Sequence, residues 1–330
     1  MTTRFDVLGI GNAIVDVISP VKDSFLTDNN LVKGSMQLID EAQAQSLYEL
    51  MGPATEVSGG SAANTVAGLA SFGNKAAFFG KVKSDQLGTV FRHDISASGV
   101  RFETPGADQG PETARCLILV TPDGERTMNT FLGACIEFGP QDIDEEIVRD
   151  SKVVYMEGYL WDPEQAKLAF LKAAEIARGA GRDVSLSLSD SFCVDRHRSS
   201  FLELIRRDVD ILFANEDEIK SLYQVESFDE ALQAVRQDCK LAALTRSGAG
   251  SVIVSSNEVH VVEARKVEKL VDTTGAGDLY AAGFFAGYTN DKELAQCAQL
   301  GALAASEIIS HIGARPQENL KDLASKNGLL

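Results

Sequence analysis

Short strands alternate regularly with helices through residues 153–245, and this alternation limits the fold more than any other feature of the sequence. Short apolar runs are typical of buried strands, whereas the longer segments between them have the spacing of surface helices. The strand segments are 153–156, 184–188, 211–214 and 242–245, and the helical segments are 163–177, 198–207, 216–223 and 228–238. Because alternating strands and helices form a parallel sheet covered on both faces, the sequence predicts an α/β fold, a three-layer α/β/α sandwich.

The segments before and after this region extend the same pattern. Phe5–Gly11 and Ala76–Gly80 are apolar runs that end in glycine, and both predict buried strands. The remaining predicted elements are helices at 41–51, 61–72 and 86–98, a hairpin formed by 251–254 and 259–262, and helical structure through 276–309. These segments complete the mainly parallel central sheet and its helical layers.

Two regions, 15–40 and 100–132, interrupt the alternation and are strand-like. The second contains Arg115–Val120 and Arg126–Phe131 on either side of Pro122-Asp123-Gly124, a pattern typical of a β-hairpin. We expect the two regions to pair as a small β-sheet lid above the carboxyl ends of the main strands, where open parallel sheets bind ligands. The alternative is that both are irregular surface insertions. The predicted domains are a large one, residues 1–14, 41–99 and 133–330, and a lid, residues 15–40 and 100–132.

The charge and the cysteine content exclude several classes of protein. The 330 residues carry a formal net charge of −17 at pH 7. Nucleic-acid and acidic membrane surfaces favour basic patches, so we expect neither as a partner. The five cysteines contain no C-x-x-C pair, which indicates reduced thiols rather than disulfides or a zinc site. Since no apolar run reaches membrane-spanning length, the sequence predicts a cytoplasmic metabolic enzyme.

A glycine-rich segment, Asp272–Asp278 with the sequence DTTGAGD, is the strongest indication of chemistry. It leads into an apolar helix. Backbone N–H groups at a helix start attract anions, and glycines let a phosphate approach the backbone closely. The Asp278 carboxylate could take a hydroxyl proton during phosphoryl transfer while the N–H groups stabilise the phosphoryl group. The segment alone leaves a second interpretation open, in which Asp278 only stabilises the helix start.

A second glycine turn, Gly59–Asn64, also opens a helix. In it Gly60 allows a polar ligand to approach, Ser61 suits an N-cap position, and the Asn64 amide can bind hydroxyl groups. The same residues are equally consistent with an ordinary capped helix. Near the N-terminus, Gly9–Ile14 has too few glycines for a dinucleotide fingerprint and no helix follows it, and the chain has no P-loop sequence.

Two further segments place polar groups at strand ends. Asn215 and Glu218 are three residues apart, which suits a hydrated Mg²⁺ or a phosphate, although the same spacing forms a capping box. Thr245–Gly250 offers hydroxyl and backbone donors to a nucleotide, although it also reads as a tight turn. Each of these segments is ambiguous by itself.

Together and in this order, the motifs closely resemble those of the ribokinase-like (PfkB) family of carbohydrate and nucleoside kinases. The resemblance covers essentially the whole chain. It rests on Gly11-Asn12 with Asp16, Gly59-Gly60 with Asn64, the series Gly80, Asp85, Gly88 and Gly99-Val100, Asn215 with Glu218, Thr245 with Gly248 and Gly250, and Asp272–Asp278. It implies a ribokinase-like fold, in which a mainly parallel sheet carries a small β-sheet lid.

The resemblance also implies catalytic roles. Asp278 corresponds to the general base that accepts the proton of the attacking hydroxyl group. Gly275, Ala276 and Gly277 correspond to the N–H donors of an anion hole for the transferring phosphoryl group. ATP is the implied phosphate donor, and Mg²⁺ is the implied cofactor.

The binding residues are implied in the same way. They are Asn12, Asp16, Gly60, Ser61 and Asn64 for the acceptor substrate; Asn215 and Glu218 for Mg²⁺, through water; Asn215, Glu218, Thr245, Gly248, Gly250 and Thr274 for ATP; and Asp272, Thr274 and Gly313 for a monovalent cation such as K⁺.

Two details resemble the adenosine kinase branch of the family and favour a nucleoside as acceptor. The segment that precedes Gly59 is long, and its residues 25–38 are similar to that branch. Tyr159 follows a strand where the branch places an aromatic residue near the base. A purine needs apolar and aromatic walls, which Met36, Leu38 and Tyr159 can provide. The alternative is that these three side chains pack the lid or the core.

The resulting prediction is ATP-dependent phosphorylation of the 5′-hydroxyl of adenosine to give AMP, a purine salvage reaction. A sugar kinase of the ribokinase or fructokinase type and a non-catalytic nucleoside-binding protein remain as alternatives. Arg126, in the predicted hairpin, is expected either to reach a phosphate when the lid closes or to be solvated. A long lid can cover the site within one chain, so a monomer is favoured over a homodimer.

Overall fold

The computed structural model describes residues 3–330, and in this range the strands form one sheet of nine strands and one of five. In chain order the strands are β1 (Phe5–Ile10), β2 (Ile14–Pro20), β3 (Met36–Leu38), β4 (Thr55–Gly59), β5 (Ala76–Phe79), β6 (Val100–Arg101), β7 (Ala114–Val120), β8 (Arg126–Phe131), β9 (Ser151–Glu157), β10 (Asp183–Ser187), β11 (Ile211–Asn215), β12 (Leu241–Thr245), β13 (Ser251–Ser255) and β14 (Val259–Val262). The helices are α1 (Asp23–Asp28), α2 (Glu41–Leu50), α3 (Ser61–Ser71), α4 (Gln86–Ala97), α5 (Glu145–Arg149), α6 (Glu164–Gly179), α7 (Ser191–Asp208), α8 (Glu216–Tyr223), α9 (Phe228–Asp238), α10 (Ala276–Tyr288), α11 (Leu294–Ile308) and α12 (Leu320–Lys326).

The larger sheet is mainly parallel. Its strand order is β14-β13-β12-β11-β10-β9-β1-β5-β6, and neighbouring strands from β12 to β6 are parallel. The strands β13 and β14 are antiparallel and form the predicted hairpin. Because parallel strands end at the same edge, the residues that end β9, β11 and β12 lie along one edge of the sheet.

Alternate residues of the central strands pack into two apolar cores, one on each face of the larger sheet. On β1, Val7 belongs to the core that contains residues of α3, α10 and α11. Its neighbour Leu8 belongs to the core that contains residues of α6, α7, α8 and α9. This separation follows from the two-residue period of a strand. The three layers confirm the predicted α/β/α sandwich.

The smaller sheet contains the predicted hairpin β7–β8, and its strand order is β3-β8-β7-β2-β4. Strand membership differs from the expected boundaries at two places. Thr55–Gly59, expected in the large domain, forms β4 and pairs antiparallel with β2, whereas Val100–Arg101, expected in the lid, forms β6 and pairs with β5 in the larger sheet. Thr55–Gly59 contains one strongly apolar residue, so its strand conformation comes from pairing with β2 and not from its own periodicity.

Helix boundaries also differ from the sequence prediction. The region 15–40 contains the short helix α1 between its strands. Helix α7 begins at Ser191 and not near residue 198, because the side chain of Asp190 caps its first turn. The helical region 276–309 is divided into α10 and α11, and Asp291 between them has a positive φ of 56°.

The state of the cysteines and the length of the apolar helices are both the subject of predictions from the sequence. All five cysteines are free and buried. Of the helices formed by residues 3–330, none is both long enough and apolar enough to span a membrane.

Candidate active site

The predicted acceptor and phosphoryl residues meet between the carboxyl-terminal edge of the larger sheet and the smaller sheet. Three elements supply the central residues: β2 in the smaller sheet carries Asp16, the first turn of α3 carries Ser61 and Asn64, and the first turn of α10 with the loop before it carries Asp278. Side-chain hydrogen bonds join α3 to α10, and an ion pair joins the smaller sheet to the loop before α10.

Asp278 lies in the first turn of α10, and the first turn of α3 holds its carboxylate. Ser61 Oγ donates to Oδ1 at 2.6 Å, and Asn64 Nδ2 donates to Oδ2 at 2.9 Å. Burial raises the pKa of Asp278, and these hydrogen bonds and the Arg315 guanidinium oppose the rise. A carboxylate that is oriented through both oxygens and has an increased proton affinity suits a general base.

The loop before α10 leaves backbone N–H groups unpaired. Gly275, the N-cap residue, has a φ of 79°. Among residues 3–330, no acceptor receives a hydrogen bond from the N–H groups of Gly275, Gly277 and Asp278, whereas Ala276 N–H donates to Thr273 O at 3.2 Å. The available donors therefore include that of Asp278, which the sequence prediction did not name, while that of Ala276 closes a turn. Unpaired N–H groups at a helix start form an anion-binding site.

One face of the smaller sheet, here called the inner face, is directed toward this loop. Its residues, in three neighbouring rows of the register, are Val57, Asp16, Cys116, Thr130 and Leu38; Thr55, Ile18, Ile118, Met128 and Met36; and Val120 and Arg126. Arg126 reaches the loop before α10, which identifies the direction of the face. Met36 and Leu38 are 44% and 53% exposed. The inner face thus combines one carboxylate, Asp16, with accessible apolar side chains.

The electrostatic surroundings of Asp16 link it to Asp278. Burial raises the pKa of Asp16 to about 6, Arg315 and Arg126 oppose the rise, and the charge of Asp278 adds to it. A Cβ at Gly59 would come within 2.5 Å of Asp16 Oδ2, so this glycine lets the carboxylate lie directly on the backbone. Asp16 on β2 and Asp278 on α10 are therefore near enough for their charges to interact.

Arg126 connects the smaller sheet to the loop before α10. Its Nη1 donates to Thr274 Oγ1 at 3.0 Å, and its Nη2 lies 3.1 Å from Asp272 Oδ2. Asp272 also accepts the backbone N–H groups of Thr274 and Gly313. The three residues expected to bind a monovalent cation thus converge, but the guanidinium already balances the charge of Asp272. K⁺ binding gains no support from this geometry and stays a prediction.

Asn215 and Glu218 form a complete capping box at the start of α8. Glu218 N–H donates to Asn215 Oδ1, and Asn215 N–H donates to Glu218 Oε2, both at 2.9 Å. Burial raises the pKa of Glu218 to about 7. Each carboxylate oxygen can accept a second donor, so the pair fits a hydrated Mg²⁺ held through its water molecules. In the described chain no three His, Cys, Asp or Glu side chains are grouped to bind a metal directly.

Three of the residues predicted to bind ATP lie beside this pair, whereas the fourth, Thr274, lies in the loop before α10. Thr245 ends β12 and is the register partner of Asn215 on β11. A Cβ at Gly250, which has a φ of 88°, would lie 2.1 Å from Val262 O, so the fold itself requires this glycine. At Gly248 the space around a Cβ is open for 4 Å, which leaves its backbone accessible to a ligand. Thr245, Gly248 and Gly250, which are predicted to bind the nucleotide, thus lie at the carboxyl-terminal edge of the larger sheet, beside β11 and β12.

Tyr159 lies in a short 3₁₀-helix after β9. Its N–H donates to Ser189 Oγ at 3.1 Å, and its hydroxyl donates to Ser189 O at 3.2 Å. Burial, followed by the charges of Asp190 and Glu218, raises the pKa of Tyr159. The phenol is therefore held near the nucleotide side of the edge, and contact with a base stays a prediction.

Glu157, to which the sequence analysis assigned no role, lies beneath the acceptor residues. This carboxylate ends β9, is 1% exposed, and accepts the side-chain amide of Asn12 and the backbone N–H of Ala62. Asn12, predicted to contact the substrate, therefore has its amide N–H bound to the protein. An acid at the end of an apolar strand is the one signal that could have identified Glu157.

Arg315 is a second residue without a predicted role. Its guanidinium donates to Ser58 O and Ser58 Oγ at 3.0 Å and to Ala63 O at 2.6 Å, so it holds both sides of the Gly59-Gly60 turn. Burial lowers the pKa of Arg315 to about 10, and the charges of Asp16, Asp278 and Asp94 oppose this. No motif in the sequence indicates this contact.

Comparisons with known proteins agree on the class of reaction and differ on the acceptor. The sequence pattern described as "pfkB family carbohydrate kinase" matches residues 29–320. The crystal structure of a probable sugar kinase from Rhizobium etli CFN 42 is 54% identical, with a TM-score of 0.94 and 100% coverage of both chains. The crystal structure of an adenosine kinase from Sinorhizobium meliloti is 55% identical, with a TM-score of 0.92 over 98% of this chain and 99% of that chain. Adenosine kinase 2 from Arabidopsis thaliana is 23% identical over 333 residues, 93% of this chain and 94% of its own length.

Proposed function

The chain belongs to the pfkB family of carbohydrate kinases, and within this family we propose that it transfers the γ-phosphoryl group of ATP to the 5′-hydroxyl of adenosine. Members of this family are phosphotransferases that act on hydroxyl groups. The observation that carries the proposal is the contact between α3 and α10: Ser61 and Asn64 orient Asp278 beside the unpaired N–H groups of Gly277 and Asp278.

The arrangement supplies both requirements of in-line phosphoryl transfer. Asp278 takes the proton of the 5′-hydroxyl. The 5′-oxygen then bonds to the γ-phosphorus of ATP, and the bond from that phosphorus to the bridging oxygen of ADP breaks. The N–H groups of Gly275, Gly277 and Asp278 stabilise the negative charge on the transferring group. The products are AMP and ADP.

The inner face of the smaller sheet supports a nucleoside as acceptor. Asp16 can accept hydrogen bonds from ribose hydroxyl groups, since it lies on the inner face and its charge interacts with that of Asp278. Met36 and Leu38 are accessible on that face and provide an apolar cover for a base. A free sugar would leave this apolar surface without a partner.

The nucleotide donor is assigned to the β11 and β12 side of the edge. Thr245, Gly248 and Gly250 offer a hydroxyl group and accessible backbone there. When bound, Mg²⁺ would neutralise charge on the phosphates, held through water by Asn215 and Glu218. The corresponding proposed role is purine salvage in the cytoplasm. We propose a monomer, because the smaller sheet of the same chain can cover the site.

A sugar kinase is the second candidate, because the Rhizobium etli structure that is 54% identical is described as a probable sugar kinase. The test is ADP release by the purified protein with ATP, Mg²⁺ and equal concentrations of adenosine, inosine, ribose or fructose. We expect a kcat/KM for adenosine at least about 100-fold above that for either free sugar. A preference for a sugar would reject the acceptor and leave the kinase assignment, whereas adenosine binding without turnover would indicate a non-catalytic protein.

A substitution on the inner face sharpens this test. Leu38→Ser should raise the KM for adenosine about tenfold and change the KM for ATP little, because it removes apolar surface from the proposed base cover. Val32→Ser is the matched control, since Val32 is 69% exposed and lies outside the inner face. Equal KM values for adenosine in the two variants would remove Leu38 from the base site.

A further inference from the structure

Glu157 is a buried carboxylate that receives three N–H groups and no cation. Asn12 N and Asn12 Nδ2 donate to Oε1 at 3.3 and 2.8 Å, and Ala62 N donates to Oε2 at 2.8 Å. These hydrogen bonds, and no lysine or arginine, oppose the increase in its pKa that burial causes. A buried charge is costly unless its oxygens are hydrogen-bonded, so the arrangement depends on all the donors being held in place.

The first turn of α3 depends on this carboxylate for an acceptor. Its N-cap residue, Gly60, has a φ of 96° and no capping side chain. A Cβ at Gly60 would lie 2.2 Å from Asn12 O, so a serine or aspartate could not be accommodated there. Glu157 therefore supplies from β9 the acceptor that an N-cap side chain would ordinarily supply.

The turn between β1 and β2 packs on the same carboxylate. A Cβ at Gly11 would lie 2.3 Å from Glu157 Oε2, so only glycine allows this approach. The Gly11-Asn12 turn leads directly into β2, which carries Asp16. Glu157 thus contacts the two turns from which the acceptor residues of β2 and α3 extend.

We propose that Glu157 is a positioning residue, which fixes Asp16 on β2 and the Ser61 and Asn64 side chains on α3 relative to Asp278. This inference rests on the proposed kinase activity for its kinetic consequence but not for its structural one. In Glu157→Gln, one of the two oxygens becomes an NH₂ group and cannot accept from its present donor. One of the two turns then loses its acceptor although the side chain keeps its shape.

Amide hydrogen exchange tests the structural part without any substrate. At pH 8, Glu157→Gln should increase the exchange rate of amides 61–64 at least about tenfold over the wild type, while amides of α6 stay unchanged. Asp183→Asn is the matched control. Asp183 begins β10, at the amino-terminal edge of the same sheet, and like Glu157 it accepts a hydrogen bond from the protein, in this case from the Tyr288 hydroxyl. Unchanged exchange at 61–64 would overturn the proposal.

Steady-state kinetics test the functional part. Glu157→Gln should raise the KM for the acceptor about tenfold and lower kcat about tenfold. The KM for ATP should stay within about twofold of the wild type, because Thr245, Gly248 and Gly250 lie away from Glu157, beside β11 and β12. A merely structural role would lower kcat with the active fraction and leave both KM values unchanged, as expected for Asp183→Asn. That pattern in Glu157→Gln would reject the positioning role.

A second variant keeps the test valid if Glu157→Gln does not fold. Asn12→Ala removes one donor and leaves the carboxylate with two, so it should show the same pattern in KM and exchange with smaller changes. The acceptor used is whichever compound the wild type phosphorylates. If the wild type does not phosphorylate adenosine but phosphorylates another acceptor, the proposed function is contradicted and the positioning role is not. If amide exchange and KM are unchanged in both variants, the positioning role is contradicted.

Discussion

The two helices that begin beside the site, α3 and α10, both start at a glycine with positive φ, yet only the first turn of α3 donates an N–H group to an acid of another strand. In α3, Ala62 N–H is bound by Glu157, an acid from another strand. In α10, the N–H groups of Gly277 and Asp278 have no partner within the described residues. A helix start that a protein acid satisfies stabilises the fold, whereas one left unpaired is available to an anionic ligand. The partner, more than the glycine pattern, distinguishes the two uses.

The largest expected effect concerns the carboxylate that joins the two helices. Asp278→Asn should lower kcat by at least about 10³-fold, because it removes the proton acceptor, and should leave adenosine affinity within a few-fold. Single-turnover kinetics and calorimetric titration measure the two quantities. A kcat within tenfold of the wild type would show that Asp278 is not the base.

A methyl group at the unpaired helix start should affect catalysis and not stability. Gly277→Ala meets no atom within 4 Å and needs no positive φ, so its free energy of unfolding should stay within about 0.5 kcal/mol of the wild type. Its kcat/KM for ATP should fall about tenfold or more, because the methyl group hinders close approach of the phosphoryl group. Unchanged kinetics would show that the phosphoryl group does not approach Gly277.

The same substitution at the satisfied helix start should affect stability first. Gly60→Ala forces a Cβ into a φ of 96° and to 2.2 Å from Asn12 O, so we expect a loss of about 2–4 kcal/mol in the free energy of unfolding. Gly179→Ala at the end of α6 is the control, because it has open space and no positive φ. Chemical denaturation that gives equal stability for both variants would contradict the strain assigned to Gly60.

The smallest effect is on the pH dependence of stability. Burial raises the pKa of Glu157 from 4.5 to about 7, so between these values the folded protein binds a proton that the unfolded chain releases. The contribution of Glu157 to the free energy of unfolding therefore falls as pH rises through this window. In Glu157→Gln the free energy of unfolding should depend less on pH between about 5 and 8. Parallel curves for variant and wild type from urea denaturation would mean that Glu157 does not titrate there.

The sequence predicted most of the larger sheet because its strands are buried on both faces and therefore appear as short apolar runs. The predicted segments 153–156, 211–214 and 242–245 lie within β9, β11 and β12. The strand β4 could not be predicted in this way, because TEVSG is a strand only through its pairing with β2. The two-residue strand β6 is likewise defined by its neighbour, β5.

The candidate site was predicted as separate motifs and not as contacts. The motifs identified Ser61, Asn64 and Asp278, but the hydrogen bonds that join them cross more than 200 residues of sequence. Glu157 has no repeating pattern around it, and its partner Asn12 is 145 residues away. Motif recognition finds residues that are expected to contact ligands, whereas the buried hydrogen bonds around them emerge only from the packed structure.

The order of strands in the smaller sheet determines how that sheet can open. Strands β2 and β4 are neighbours at one end of it, and each is joined to a glycine turn that is anchored below the sheet: Gly11-Asn12 precedes β2, and Gly59-Gly60 ends β4. If the smaller sheet rotates as a unit about an axis near these two anchors, β3, at the far end, makes the longest excursion. An acceptor would then enter and leave beneath Met36 and Leu38 on β3, while Asp16, close to the axis, would hardly move. Such a rotation would separate Arg126 on β8 from Asp272 and Thr274 and would keep Asp16 beside the backbone of Gly59.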